Sequence, residues 1–129
     1  MKKTILITAC IFGFLAVALG AFGAHGLEKL VPPDAVTTFE TGVRYQMYHA
    51  FFLFILGLLP GIPPKSQRIT YWLVLIGVVF FSFSIYLLAI NSITAFDFKT
   101  IGFITPIGGT LLLGAWAFLG VQIYKSNLK

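Results

Sequence analysis

Four long stretches of the chain carry no Asp, Glu, Lys or Arg: residues 4–27, 45–64, 69–96 and 100–124. A helix that crosses a bilayer needs about 20 apolar residues, because each adds about 1.5 Å and the hydrocarbon layer is about 30 Å thick. All four stretches reach that length. None alternates with period two, so a membrane barrel is not indicated. In lipid the backbone must bond within its own segment, which makes each stretch a helix. The pattern predicts an all-α membrane protein: one domain, an antiparallel four-helix transmembrane bundle with spans at about 5–24, 45–60, 69–90 and 106–124.

Local signals refine the ends. Between spans one and two, Pro32-Pro33-Asp34 reads as a helix start with Asp34 as cap. Val36, Phe39 and Val43 then share one face, with Glu40 and Arg44 four apart on another. Residues 35–44 are therefore expected to form a short amphipathic helix at the membrane surface, continuous with span two or kinked near Gly42. Span three starts near Tyr71 and Trp72 and stops at Asn91-Ser92. Span four is placed to begin at Thr105-Pro106, with Thr105 as cap and Pro106 in the first helical position; a longer helix kinked at Pro106 is the alternative. Span one carries small residues at Ala9 and Gly13, and again at Ala16, Gly20 and Ala24. This four-residue spacing lets a second helix approach closely. Gly13, Gly20, Gly23, Gly108 and Gly109 are the candidate packing glycines.

Composition agrees with lipid as the surrounding medium. Of 129 residues, 58% are apolar and 10% charged, where a soluble domain carries about 25% charged residues. The net charge is +5, but the basic residues sit singly or in pairs at the ends of apolar runs, which fits membrane orientation and not a nucleic-acid surface. Both chain ends and the Lys65/Arg68 loop hold Lys2, Lys3, Lys65, Arg68, Lys125 and Lys129 with no acid. The opposite side holds Lys29, Arg44 and Lys99 with Glu28, Asp34, Glu40 and Asp97. Positive loops stay in the cytoplasm, so both termini are expected inside. Lys2-Lys3, the apolar run and the small residues near Ala21 and Gly23 also resemble a signal peptide. The run exceeds the usual length of about 7–15 residues, and three more spans follow, so span one is read as uncleaved. Cys10 is the single cysteine. It excludes an internal disulfide and a cysteine zinc site. It is expected to be packed and inert; the lipoprotein-like box ending at Cys10 leaves too few preceding residues for a leader.

The motifs GAFGAHGL (20–27), FETGVRYQMYHA (39–50), FSFSIYLL (81–88) and ITPIGG (104–109) resemble domain-of-unknown-function family 423. Its members are small, largely bacterial membrane proteins, similar to the eukaryotic transmembrane protein 256 group. The resemblance covers nearly the whole chain. It implies four spans, an uncleaved first helix, a plasma-membrane location in a bacterium and no established activity. The family pattern FSGSLY is altered here, with Phe83 and Ile85 in place of glycine and leucine.

No acidic or basic side chain lies within the four runs, which disfavours proton-coupled transport. The remaining polar candidates are His25, Tyr45, Gln46, His49, Ser82, Tyr86 and Thr105. Antiparallel packing of spans one and two would bring His25 and His49 to similar depth, and Tyr45 and Gln46 are expected to share the face of His49. All seven are expected in the outer leaflet, with the inner half almost wholly aliphatic and aromatic. Three readings compete. In the first, these groups bond between helices and hold the bundle, and the protein is a non-enzymatic accessory or envelope-maintenance component acting through partners. In the second, they form an outward polar site of a channel or carrier for a small solute or lipid. In the third, His25 and His49 serve a haem- or quinone-linked redox protein, although no CxxCH and no acid within a span supports ligation. No nucleophile–base pair or phosphate loop is present. Neither metal nor cofactor is assigned. The partners expected are the bilayer itself and a homo-oligomer or membrane-protein partner.

Overall fold

In the computed structural model, which describes residues 1–128, the chain is helical throughout and holds no strand among the described residues. Lys129, counted above among the basic residues of the cytoplasmic side, lies outside that range. Five α-helices follow in order: α1 (Lys2–His25), α2 (Pro33–Leu58), α3 (Pro64–Val78), α4 (Ser84–Ala89) and α5 (Ile104–Lys125). A π-helical segment (Val79–Phe83) joins α3 to α4, so the third predicted span is one helix with a widened turn in its middle. Single 3₁₀ turns lie at Leu27–Lys29, Asn91–Ile93 and Phe98–Ile101.

Three segments are long and apolar enough to cross a membrane: Lys2–Lys29, Pro64–Ala89 and Phe98–Lys125. Their apolar residues face outward as well as inward. Phe14 and Val17 on α1 and Leu113 on α5 are 63–74% exposed, while Ala9, Val74 and Ala115 are fully buried. A helix apolar on all sides and left uncovered is at home in lipid. Cys10 belongs to this outward face: it is exposed, and the expected packed thiol is corrected.

Two of the expected element ends, the Asp34 cap and the Thr105 start, are also corrected. The amphipathic segment is continuous with span two, one of the two arrangements expected. Pro32 caps and Pro33 opens a single 26-residue α2, and Asp34 lies in the first turn without a side-chain capping bond. Proline suits that position because its missing N–H would have no partner there. Gly42 lies close against Tyr86 and Ile85. At the other end of the chain, Phe103 flanks α5, and Thr105 lies inside the helix. Pro106 is thus the third helical residue, still among the four whose N–H finds no partner in the helix, and it breaks no bond there.

Neighbouring helices run antiparallel. Along α1 and α2, Gly57 meets Ile5 and Leu6, Gly13 meets Ala50, Gly20 meets Val43 and Gly23 meets Phe39. Along the α3–α4 helix and α5, Ser66 bonds Gln122, Gly77 meets Leu112 and Ser84 bonds Thr105. The main core, with Phe12, Leu53, Leu56, Tyr71, Val74 and Leu119, lies between these two pairs. A smaller cluster (Leu27, Val31, Phe39 and Ala89) closes the end nearest the α1–α2 connection. In lipid, burial of apolar surface does little to drive helices together; close packing and hydrogen bonds do. The tightest approach is at Gly108, where an added Cβ would lie 2.4 Å from the Phe81 nitrogen.

Candidate functional site

The seven polar candidates divide into separate groups. Gln46 is fully buried on the face of α2 turned toward α1 and α4. Its amide nitrogen donates to the Phe12 carbonyl (2.8 Å), and its oxygen accepts from the Tyr86 hydroxyl (2.7 Å). One side chain thus ties three helices. The Phe12 carbonyl lies midway along α1, so the tie sits near the middle of the fold. Ser82 is also fully buried and donates to the Gly42 carbonyl (2.8 Å). The π segment explains why serines belong here. A widened turn disturbs the i→i−4 ladder, and the Ser84 hydroxyl lies against the carbonyls of Phe80 and Phe81, the latter also accepting the Ser84 backbone N–H. That hydroxyl also meets Thr105 Oγ1 at 2.6 Å, which fastens the start of α5 to α4.

His49 belongs to a different group, on the side of α2 that faces α5. It is 3% exposed. The Trp116 indole N–H, which is a donor only, lies 3.1 Å from His49 Nε2. Nε2 therefore accepts, and the proton sits on Nδ1, which donates to the Tyr45 carbonyl at 2.6 Å. The imidazole is the neutral Nδ1–H tautomer with both nitrogens engaged. Trp116 packs edge-on against Phe52, with centroids 4.6 Å apart. The Tyr45 ring is partly exposed and lies against Phe81 at 4.9 Å.

His25 is remote from both groups. It is exposed at the carboxyl end of α1. The helix register sets residue 38 opposite it, eleven residues before His49, or roughly 16 Å along the axis at about 1.5 Å per residue. Two histidines sharing one metal must approach within about 4 Å, since each metal–nitrogen bond is about 2 Å. The expected common depth is corrected, and with it the ligand pair needed for the two-histidine redox reading. The reason is the length of α2: it continues outward for twelve residues before Tyr45, which carries His49 inward. Tyr45 does share the face of His49, since both line one cleft, but Gln46 and His49 face different neighbours, so that part of the expected shared face is corrected.

The polar groups are not confined to one half of the fold. At the opposite end Thr8 Oγ1 and the Tyr71 hydroxyl are 2.9 Å apart, Ser66 donates to Gln122 (2.8 Å), and Gln67 donates to the Leu56 carbonyl (3.1 Å). These pairs are polar exceptions in a half expected to be almost wholly aliphatic and aromatic. Trp116 is the residue that sequence reasoning missed at His49. A signal existed: an indole N–H in the middle of an apolar run, away from the interfacial belt, needs an internal acceptor. Among the described residues every buried side-chain nitrogen and oxygen has a partner. No group of three His, Cys, Asp or Glu side chains among them is placed to hold a metal ion.

Of the glycines singled out from the sequence, Gly108 lies backbone to backbone against Phe80, Phe81 and Gly77, and Gly23 lies tight against the Phe39 ring. Gly20 and Gly109 have ordinary contacts with Val43 and Phe81, and Gly13 a looser one with Ala50. Gly42, Gly57 and Gly77, which were not singled out, are in closer contact than these last three.

The profile of the family described as "Protein of unknown function (DUF423)" matches residues 19–109. A UPF0382 membrane protein of Bacillus subtilis (strain 168) is 38% identical over 125 residues, covering 95% of this chain and 98% of the relative. One from Haemophilus influenzae is 38% identical over 127 residues, covering 98% of each chain. Another, from Staphylococcus haemolyticus, is 38% identical over 123 residues, covering 95% and 97%. No solved structure matches. With these matches running nearly end to end and apolar helices exposed to the surroundings, the chain belongs to the DUF423 family, whose relatives here are named as bacterial membrane proteins.

Proposed function

We propose that this chain is a four-span, non-enzymatic protein of the bacterial plasma membrane with both ends in the cytoplasm, acting as an accessory or envelope-maintenance component through partners. Under this reading α2 crosses the bilayer with α1, the α3–α4 helix and α5. The antiparallel order of the helices and the excess of basic residues around Lys2, Lys65 and Lys125 support it. One observation carries the functional part. The buried polar side chains are joined to one another and to backbone carbonyls across helices, as at Gln46, Ser82 and Ser84. Groups used in this way hold a bundle together; a reacting centre needs a nucleophile or base free to meet substrate.

The test is complementation of a deletion strain under envelope stress. Variants Tyr86→Phe, Ser82→Ala and Gln46→Ala should restore growth in proportion to the folded protein each leaves in the membrane. A variant that accumulates to the wild-type level and still fails to restore growth would overturn the reading.

A further inference from the structure

We propose that the cleft between α2 and α5 is a binding site, opening sideways into the bilayer, for the head of a lipid-soluble hydroquinone. The proposal is independent of the accessory role above and concerns binding alone, with no electron-transfer step. The cleft has a volume of about 400 Å³ and is lined chiefly by Tyr45, His49, Phe81, Gly109, Thr110 and Trp116. It exists because α2 and α5 both pack on the α3–α4 helix, while the Trp116 indole reaches across to α2. Its outer lip is Leu113 and Trp116, which are 72% and 54% exposed. His49 lies level with the middle of α1, so the mouth faces hydrocarbon and not water.

Three properties select the occupant. No lining side chain is charged, and the route in is through lipid, so the ligand is neutral and lipid-soluble. Three aromatic rings, those of Tyr45, Phe81 and Trp116, border the space, with Tyr45 and Phe81 at 4.9 Å. Flat rings pack well against such walls. The third property is the polar pair in the wall, formed by Trp116 and His49. Trp116 Nε1 donates and His49 Nε2 accepts, 3.1 Å apart. A ligand hydroxyl inserted between them accepts from the indole and donates to the imidazole, replacing one bond by two. A carbonyl or ether oxygen satisfies only the indole and leaves Nε2 unpaired. The Tyr45 carbonyl holds the proton on Nδ1 and so keeps Nε2 ready to accept. An aromatic ring that bears a hydroxyl and an apolar tail meets all three conditions.

The experiment uses the full chain in phosphatidylcholine nanodiscs. Trp72→Phe leaves Trp116 as the sole reporter, since the chain has two tryptophans. Titration with 2-decylhydroquinone should quench Trp116 fluorescence saturably. Its dimethyl ether and the oxidised quinone should bind at least about tenfold more weakly, the effect of one lost hydrogen bond on a buried acceptor. His49→Leu should weaken hydroquinone binding by a similar factor. Gly109→Leu, which fills the cleft, should abolish it, whereas Gly109→Ala, whose Cβ meets Phe81 at an ordinary 3.5 Å, should not. Quenching that rises linearly without saturation, or equal binding of hydroquinone and its ether, overturns the proposal. Equal competition by n-decanol overturns the aromatic assignment. Comparing hydroquinone with its ether needs no change at His49 or Gly109, so the proposal stays falsifiable even where those variants do not fold.

Discussion

Gly108→Ala should be among the most damaging single-methyl additions this chain can receive. The new Cβ would lie 2.4 Å from the Phe81 nitrogen, 2.7 Å from the Phe80 carbonyl carbon and 2.9 Å from the Gly77 oxygen. All three are backbone atoms, so no rotamer change relieves the contact. Ordinary contact begins near 3.4 Å, so α5 must retreat by about 1 Å, a gap that forfeits a quarter to a half of the local dispersion energy. The same retreat strains the Ser84–Thr105 bond, 2.6 Å long in the intact fold. Overpacking of this kind costs about 1–3 kcal/mol, and the backbone location places Gly108→Ala near about 3 kcal/mol. Gly114→Ala on the same helix is the control, because nothing lies within 4 Å of its Cβ. The gain in helix propensity, about 0.5–1 kcal/mol, is common to both variants and cancels in their difference. Reversible unfolding in mixed dodecyl maltoside–SDS micelles, followed by far-ultraviolet circular dichroism, measures both. Equal stabilities within about 0.5 kcal/mol, the usual spread of neutral substitutions, would refute the close approach of α5 to the π segment.

Further expectations come from the hydrogen bonds. Gln46→Ala strips the Phe12 carbonyl and the Tyr86 hydroxyl of their partner and should cost about 1–3 kcal/mol. A double-mutant cycle with Tyr86→Phe in the same unfolding assay should give a coupling of about 0.6–2 kcal/mol, and a coupling near zero would remove the three-helix tie. His25→Ala, at an exposed helix end, should stay within about 0.5 kcal/mol of wild type, whereas His49→Ala should cost more than about 1 kcal/mol by leaving the Trp116 N–H without an acceptor. Ser84→Ala takes the hydroxyl away from the Phe80 and Phe81 carbonyls and frees Thr105. It should raise amide hydrogen exchange at residues 79–84 and at the start of α5 while leaving α1 unchanged.

Much of the helical layout was legible in the placement of charge. The uncharged runs coincide with α1, the α3–α4 helix and α5, because in hydrocarbon a charged side chain is excluded and every backbone group must be paired locally. The small residues Ala9, Gly13, Ala16 and Gly20 similarly lie toward α2. What escaped was register. Residues 33–44 are polar enough to look like a surface segment, yet they extend α2 without a break. Starting span two itself at Tyr45 set His49 level with His25, whereas the helix register puts residue 38 opposite His25. The π segment left no hydrophobic signature, since its residues, Val79–Phe83, are as apolar as their neighbours apart from Ser82. Partner choice was also hidden. Tyr45, Gln46 and His49 are close in sequence, but the hydrogen bonds of Gln46 lead toward α1 and α4 and those of His49 toward α5. Helical spacing alone did not separate them.

The passage of α2 through the bilayer is the claim on which the four-span account depends most, because α2 carries Asp34, Glu40 and Arg44 before its apolar part begins. Labelling of single cysteines by a membrane-impermeant maleimide tests it directly. In a Cys10→Ser background, Thr38→Cys and Lys65→Cys place one exposed thiol near each end of α2. The account predicts that Thr38→Cys reacts in intact cells and Lys65→Cys only after the membrane is opened. Reaction of both from the same side would contradict it.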